Sequence, residues 1–202
     1  DKDGKDRTAV CCLSSLNIEK YDEWKDDENF ISDIMRFLDN VLNDFIENAP
    51  EQFSNATYSA MRERSVGLGV MGLHSFFQKK NIPLESAMSK VWNKKIFEYI
   101  QKKVDESSKK LAEERGPCPD AADYGINERF SNKTAIAPTA SISIICGGTS
   151  PGIEPIAANS YTHKTLSGSF NVRNKYLEKI LENYNKNNDE VWSSIKTNQG
   201  SG

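Results

Sequence analysis

Histidine is almost missing from this chain: 2 of 202 residues, His74 and His163. No two of the 4 cysteines, Cys11, Cys12, Cys118 and Cys146, stand in a C-x-x-C pair, and both histidines are far from them in sequence. Together these absences argue against a structural zinc site, and no metal ligand set is expected. Long apolar runs are also lacking. Nothing approaches the length that crosses a bilayer, and no charged-then-apolar leader opens the chain, so the expectation is a cytoplasmic protein with no membrane contact. An excess of one charge is missing too: 26 Lys and Arg against 29 Asp and Glu give a formal charge of −3. That mild acidity supplies no electrostatic reason to bind nucleic acid. In a reducing compartment the cysteines are expected to be apolar thiols unless one has redox work.

What remains is an ordinary globular composition, 37% hydrophobic and 27% charged, in a chain long enough to bury a core. It opens on "DKDGKDRTAV" and stops at "KTNQGSG", and the expectation is an internal piece of a longer polypeptide. "TAVCCLSSLNI" (Thr8–Ile18) reads as a buried strand running into a loop. Phe30, Ile31, Ile34, Leu38, Val41, Leu42 and Phe45 recur at helical spacing up to Pro50, which predicts an amphipathic helix. Val66, Leu68 and Val70 alternate with Gly67 and Gly69, predicting an extended segment that enters a helix near Gly72. A long helix follows, with Met88, Val91, Trp92, Ile96, Tyr99, Ile100 and Leu111 as its buried stripe and Gly116 just past its end. "KTAIAP" predicts a short buried strand ending at Pro138. Beyond it, "CGGTSPG" and "LSGSF" read as loops and "NKYLEKILENYNK" as a last helix. The order of strands and helices is an α/β pattern.

"GLGVMG" formally fits the dinucleotide fingerprint G-x-G-x-x-G, but no acidic residue ends a second strand about 20 residues on. Close packing of backbone explains these glycines better than a Rossmann dehydrogenase does.

"APTASISIICGGTSPGIEP" (Ala137–Pro155) has hydroxyls and glycines but neither Lys nor Arg. Thr139 or Ser141 is placed to cap a helix that starts in the following apolar run. Such a terminus leaves backbone N–H groups aimed outward, ready for an anion, with Thr139, Ser141 and Ser143 adding hydroxyl donors. A plain helix cap without a ligand fits the same residues. Spacing alone favours the plain cap, since Ser and Thr caps far outnumber phosphate sites. The position after a strand of an α/β fold shifts the balance part of the way back toward a ligand.

Three stretches, "AVCCLSSLNI", "RERSVGLGVMGLHSF" and "APTASISIICGGTSPGIEP" continuing into "YTHKTLSGSF", resemble in order and spacing the large (catalytic, alpha) subunit of ribonucleotide reductase, class I-like, over essentially all 202 residues. The resemblance implies an α/β fold, part of a ten-stranded α/β barrel, with residues 1–202 forming much of its second five-stranded half. The effector-binding cone domain and the C-terminal tail are not present in this segment. It further implies reduction of ribonucleotides to deoxyribonucleotides by radical and thiol chemistry. Cys11 aligns with a redox cysteine that forms a disulfide with an upstream cysteine outside this chain, and Cys12 with a packing position. A Cys11–Cys12 disulfide is disfavoured on geometry, since adjacent Cα atoms lie about 3.8 Å apart against the usual 4.4–6.8 Å. Pro138, Thr139, Ala140, Ser141 and Ile142 align with the turn that binds the substrate's phosphates; Ile142, where a hydroxyl residue is common, would contribute only its N–H. Cys146 has no catalytic counterpart and is expected in the core. The radical-bearing Asn-x-Cys-x-Glu loop is implied upstream. No cofactor is implied on this chain, because the radical comes from a separate metal-containing small subunit. Partners implied are the ribonucleotide substrate, the remainder of the large chain, that small subunit, thioredoxin or glutaredoxin as reductant, and a second copy of the full chain in a homodimer. A non-catalytic phosphate-binding α/β domain is the alternative, and the presence or absence of that upstream loop separates the two. An open half-barrel would expose strand edges and associate readily.

Overall fold

The structure is a computed structural model that describes Lys2, residues 4–166 and residues 168–201. Its centre is a pair of parallel strands, β1 (Cys12–Asn17) and β2 (Val66–Met71), in register from Cys12 opposite Val66 to Asn17 opposite Met71. A third extended segment runs along the other side of β2. Val66 N–H donates to the Asn132 carbonyl at 2.9 Å, Leu68 N–H to Lys133 at 3.0 Å, and Ala135 N–H to Leu68 at 3.3 Å, with Thr134 bridging Leu68 in parallel.

The two faces of this sheet differ because strand side chains alternate. On one face Leu16, Val66, Leu68 and Val70, continued by Ile18, are buried in the main core beneath the helices. Those helices are α2 (Phe30–Asn48), α4 (Leu73–Lys79) and α5 (Ala87–Arg115). The short α1 (Tyr21–Trp24), α3 (Ser54–Glu63) and α6 (Pro119–Ala122) fill the corners. Tyr21, Trp24, Phe76, Trp92 and Tyr99 meet edge to face under α5. The other face is open. It carries Cys11, Leu13 (55% exposed), the two strand glycines and Ala135. A Cβ on Gly67 would collide with Leu13, Ala135 and the Cys11 Sγ, and one on Gly69 would overlap the Ala135 carbonyl oxygen. Both glycines therefore serve close approach of strands inside β2, rather than a phosphate cradle of the dinucleotide type, where the glycines form the turn.

α5 ends at Gly116 as its sequence predicts, and the structure adds a cap at its start. The Ser86 hydroxyl accepts from Ser89 N–H at 3.2 Å, and Gly116, at φ 86, closes the far end. Ile96, Ile100 and Leu111 of its expected stripe are buried, joined by Val104, Ser107, Ser108 and Ala112. Met88 and Val91 are exposed instead, and the first turns face the core through Ser89 and Trp92. The α5 C-terminus is held by a buried charge cluster. Asp39, 0% exposed on α2, receives Arg64 Nη2 at 2.6 Å, Arg115 Nη1 at 2.7 Å and Arg129 Nε at 2.9 Å. Arg129 also donates to the carbonyls of Arg115 and Gly116.

Three expectations change in the last third. "KTAIAP" is not buried: Thr134 and Ile136 (48% exposed) sit at the sheet's outer edge, where only β2 pairs with them among the described residues. The stretch around "LSGSF" is an antiparallel hairpin, β3 (Ser160–Thr165) with β4 (Gly168–Arg173), and not a plain loop. Two helices close the chain, α8 (Lys175–Asn183) and α9 (Asp189–Thr197). No helix is long and apolar enough to cross a membrane among the described residues.

Candidate functional site

The segment after the third strand turns sharply at Thr139, a non-glycine residue at φ 53. Thr139 is 8% exposed, and its hydroxyl accepts from Gly152 N–H at 2.7 Å. The oxygen thus closes the loop from within while its O–H remains able to donate, and the expected Thr139 cap is not made. Ser141 stands at the N-terminal boundary of α7 (Ile142–Ile145) without a side-chain cap bond. Ser143 is buried and its hydroxyl donates to the Ala140 carbonyl at 3.3 Å. Of the three expected hydroxyl donors, Ser141 alone is exposed. Pro138, Ala140 and Ile142 are exposed with it. The N–H groups of Ala140, Ser141 and Ile142 have no acceptor among the described residues. α7 is a single turn, so its dipole adds little; the anion-binding capacity lies in the N–H groups themselves.

The rest of the loop is pinned to the carboxyl ends of β1 and β2. Gly72, at φ 80, donates to the Ser150 carbonyl at 2.7 Å. Ser75 and Ser150 exchange bonds, each hydroxyl accepting from the other's N–H, at 3.1 and 2.8 Å. His74 Nδ1 accepts from Ile156 N–H at 3.0 Å, and burial pushes this imidazole below its ordinary pKa, so it stays the neutral acceptor that the bond requires. A carboxylate joins the group: Glu19 Oε1 accepts from Lys175 Nζ at 2.7 Å and from the Tyr176 hydroxyl at 2.6 Å. Sequence reasoning missed Glu19, Ser75, Ser150, Lys175 and Tyr176. The only advance signal was the hydroxyl-rich string itself, since Glu19 and Lys175 are 156 residues apart.

Cys11 lies at the other end of the strands, on the open face and exposed. Partial burial pushes its thiol up, and a Ser65 hydrogen bond offsets part of that rise. The Cys11 Sγ and the Ala135 Cβ both stand beside Gly67, 3.1 and 2.8 Å from where a Cβ there would lie. Ala135 leads into the turn, so at about 3.3 Å of rise per residue roughly 10–13 Å of the third strand joins Cys11 to Thr139. Cys12 packs against the core as expected. Cys146 does not: it is exposed at the end of α7, whose one buried position is held by Ser143. Among the described residues no group of three or more His, Cys, Asp or Glu side chains converges.

Comparison with known proteins bears on the whole chain. The family model described as "Ribonucleotide reductase, barrel domain" matches residues 2–128 and 120–201. The ribonucleoside-diphosphate reductase large subunit of Invertebrate iridescent virus 6 is 52% identical over 197 residues, covering 96% of this chain and 20% of that protein. The corresponding large subunit of Invertebrate iridescent virus 3 is 46% identical over 198 residues, covering 96% of this chain and 31% of its own length. The solved class Id ribonucleotide reductase alpha subunit of Actinobacillus ureae superposes with a TM-score of 0.87 at 37% identity, over 97% of this chain and 36% of that one. The chain thus spans between a fifth and about a third of these relatives, and its parallel strands, packed helices and carboxyl-end loop are a part of their α/β barrel. It belongs to the ribonucleotide reductase family, as a piece of the large chain's barrel domain.

Proposed function

We propose that this chain holds the phosphate end of a ribonucleoside diphosphate at Pro138, Thr139, Ala140, Ser141 and Ile142, and supplies at Cys11 one of two thiols that reduce the ribose. The single observation that carries the reading is the set of N–H groups without an acceptor among the described residues at the exposed Ala140, Ser141 and Ile142, at the carboxyl end of parallel strands. There they meet an anion without a competing protein acceptor. Each charge-assisted bond contributes about 1.5–3 kcal/mol. The turn binds and does not transform.

The overall step takes two thiols and a ribonucleotide to a disulfide, a deoxyribonucleotide and water: two electrons and two protons leave the sulfurs as the 2′-oxygen departs. The partner cysteine and the radical-bearing groups belong to other parts of the longer chain, as do the effector-binding cone domain and the C-terminal tail. A Cys11 thiol held above its ordinary pKa stays protonated near neutrality, which suits a donor of hydrogen better than a nucleophile. In this reading a separate metal-containing small subunit makes the radical, thioredoxin or glutaredoxin restores the thiols, and the complete chain works as a homodimer in the cytoplasm.

The test is made in the large chain that carries this segment. Thr139→Ala together with Ser141→Ala weakens substrate binding more than about tenfold, by loosening the Gly152 tie and removing the exposed hydroxyl. Cys11→Ser in the same chain binds substrate normally and fails to turn over repeatedly. An unchanged dissociation constant in the double variant, or normal steady-state turnover in Cys11→Ser, overturns the assignment.

A further inference from the structure

Most ties on the turn's loop are neutral hydrogen bonds, but one is ionic and comes from the far end of the chain. Glu19 follows β1 directly and is 9% exposed. Lys175 Nζ reaches its carboxylate at 2.7 Å and, on its other side, donates to the Gly147 carbonyl at 3.2 Å. Gly147 follows α7 by one residue, and Gly147 and Gly148 both have positive φ, 89 and 65. A one-turn helix has almost no stability of its own, and a glycine pair after it adds conformational freedom. The carboxyl end of α7 therefore needs an external tether, and Lys175 supplies one.

The placement of Lys175 supports a dedicated role. It is the first residue of α8, whose N-cap Asn174 accepts from Tyr176 N–H at 3.0 Å and Leu177 N–H at 3.4 Å. A cation in the first turn runs against the helix dipole, so the position is maintained by its partners. Glu19 Oε2 and Thr149 Oγ1 are both buried and lack a hydrogen-bond partner among the described residues. Thr149 belongs to the same loop and lies close enough to favour the ionised carboxylate without completing a bond.

We infer that Lys175 and Glu19 are positioning residues for the phosphate turn: through the Gly147 carbonyl they hold the far end of α7, and so set where the N–H groups of Ala140, Ser141 and Ile142 point. The inference rests on the turn being the phosphate site. Its two members are unequal. Glu19→Gln leaves a half-exposed ammonium that water can solvate, whereas Lys175→Met strands a buried carboxylate with Tyr176 as its remaining donor.

The experiment uses the large chain and measures the KM and kcat for the ribonucleoside diphosphate, with inorganic pyrophosphate as a competing probe. Lys175→Met raises KM and the pyrophosphate inhibition constant about tenfold with kcat within about twofold, the signature of lost uniform binding. Lys175→Arg restores both to within about threefold, and Glu19→Gln raises KM by only about two- to fivefold. An unchanged KM in Lys175→Met, with the Thr139/Ser141 double variant still weakened, overturns the positioning role and leaves the phosphate turn standing. If the double variant is unchanged as well, the phosphate reading falls and the inference with it. Should Lys175→Met fail to accumulate, Glu19→Gln decides: an unchanged KM there overturns the positioning role.

Discussion

Asp39 and Glu19 are both carboxylates withdrawn from water, and the chain treats them in opposite ways. Asp39 receives arginines from three separate places, the end of α3, the end of α5 and the segment before the third strand. Glu19 receives two donors from adjacent residues of one helix and keeps one oxygen without a partner among the described residues. The first arrangement is over-determined: three guanidiniums share one carboxylate, and burial pulls Arg64 down while Asp39 opposes it. The second is under-determined, and it stands beside the loop that would receive a ligand. Redundant charge pairing stiffens the helix layer, where one arrangement suffices. A single tether is enough where the backbone must meet a second molecule.

The largest expected effect breaks the first member of this pair. Asp39→Ala leaves three arginines facing one another in the interior and lowers the unfolding free energy by about 3–5 kcal/mol. The urea midpoint of the barrel domain measures it, and a change below about 1 kcal/mol would show the cluster to be dispensable. An intermediate effect tests whether the open face is as tightly packed as its glycines imply. Gly69→Ala drives a methyl into the Ala135 carbonyl, displacing the strand that leads into the turn and destabilising by about 1–3 kcal/mol. Wild-type stability there would mean that this strand yields freely.

The smallest effect sharpens the contrast through pH. For Asp39, burial raises the pKa, and the bonds and charge of Arg129 and Arg64 more than reverse that. For Glu19, burial likewise raises it, and Lys175, Tyr176 and Thr149 more than compensate. Both folded-state values lie below the ordinary range, so each carboxylate contributes stability above its unfolded pKa, about 3.9 for Asp and 4.3 for Glu. That contribution disappears as pH falls through the folded value. In stability measured from pH 6 down to about pH 3, Asp39→Asn has the shallower acid limb than wild type, and Glu19→Gln departs from wild type less. An acid limb for Asp39→Asn parallel to wild type would contradict the pairing.

Local pattern was enough for the helices and the first two strands. The apolar spacing from Phe30 to Phe45 and the Gly116 stop are encoded within a few residues of where they act. The hydroxyl turn was visible as a string, but which of its side chains face inward was not. Thr139 and Ser143 turn inward because Gly152 and Ala140 stand within reach, and no spacing rule along the string reports that. Cys146 and Ile136 are exposed for a related reason: apolar composition does not say which segments find a covering layer.

The sequence by itself determined the α/β class, the long helices, the glycine-bearing strand and the resemblance that picks out Cys11 and Pro138–Ile142, because propensity, periodicity and short motifs are local properties. Tertiary contacts alone settle that Gly67 and Gly69 serve close strand approach, that Cys11 stands beside the strand leading into the turn, and that Glu19 meets Lys175 beside Gly147. Those are contacts between residues distant along the chain, brought together when parallel strands need crossovers and one sheet face is buried.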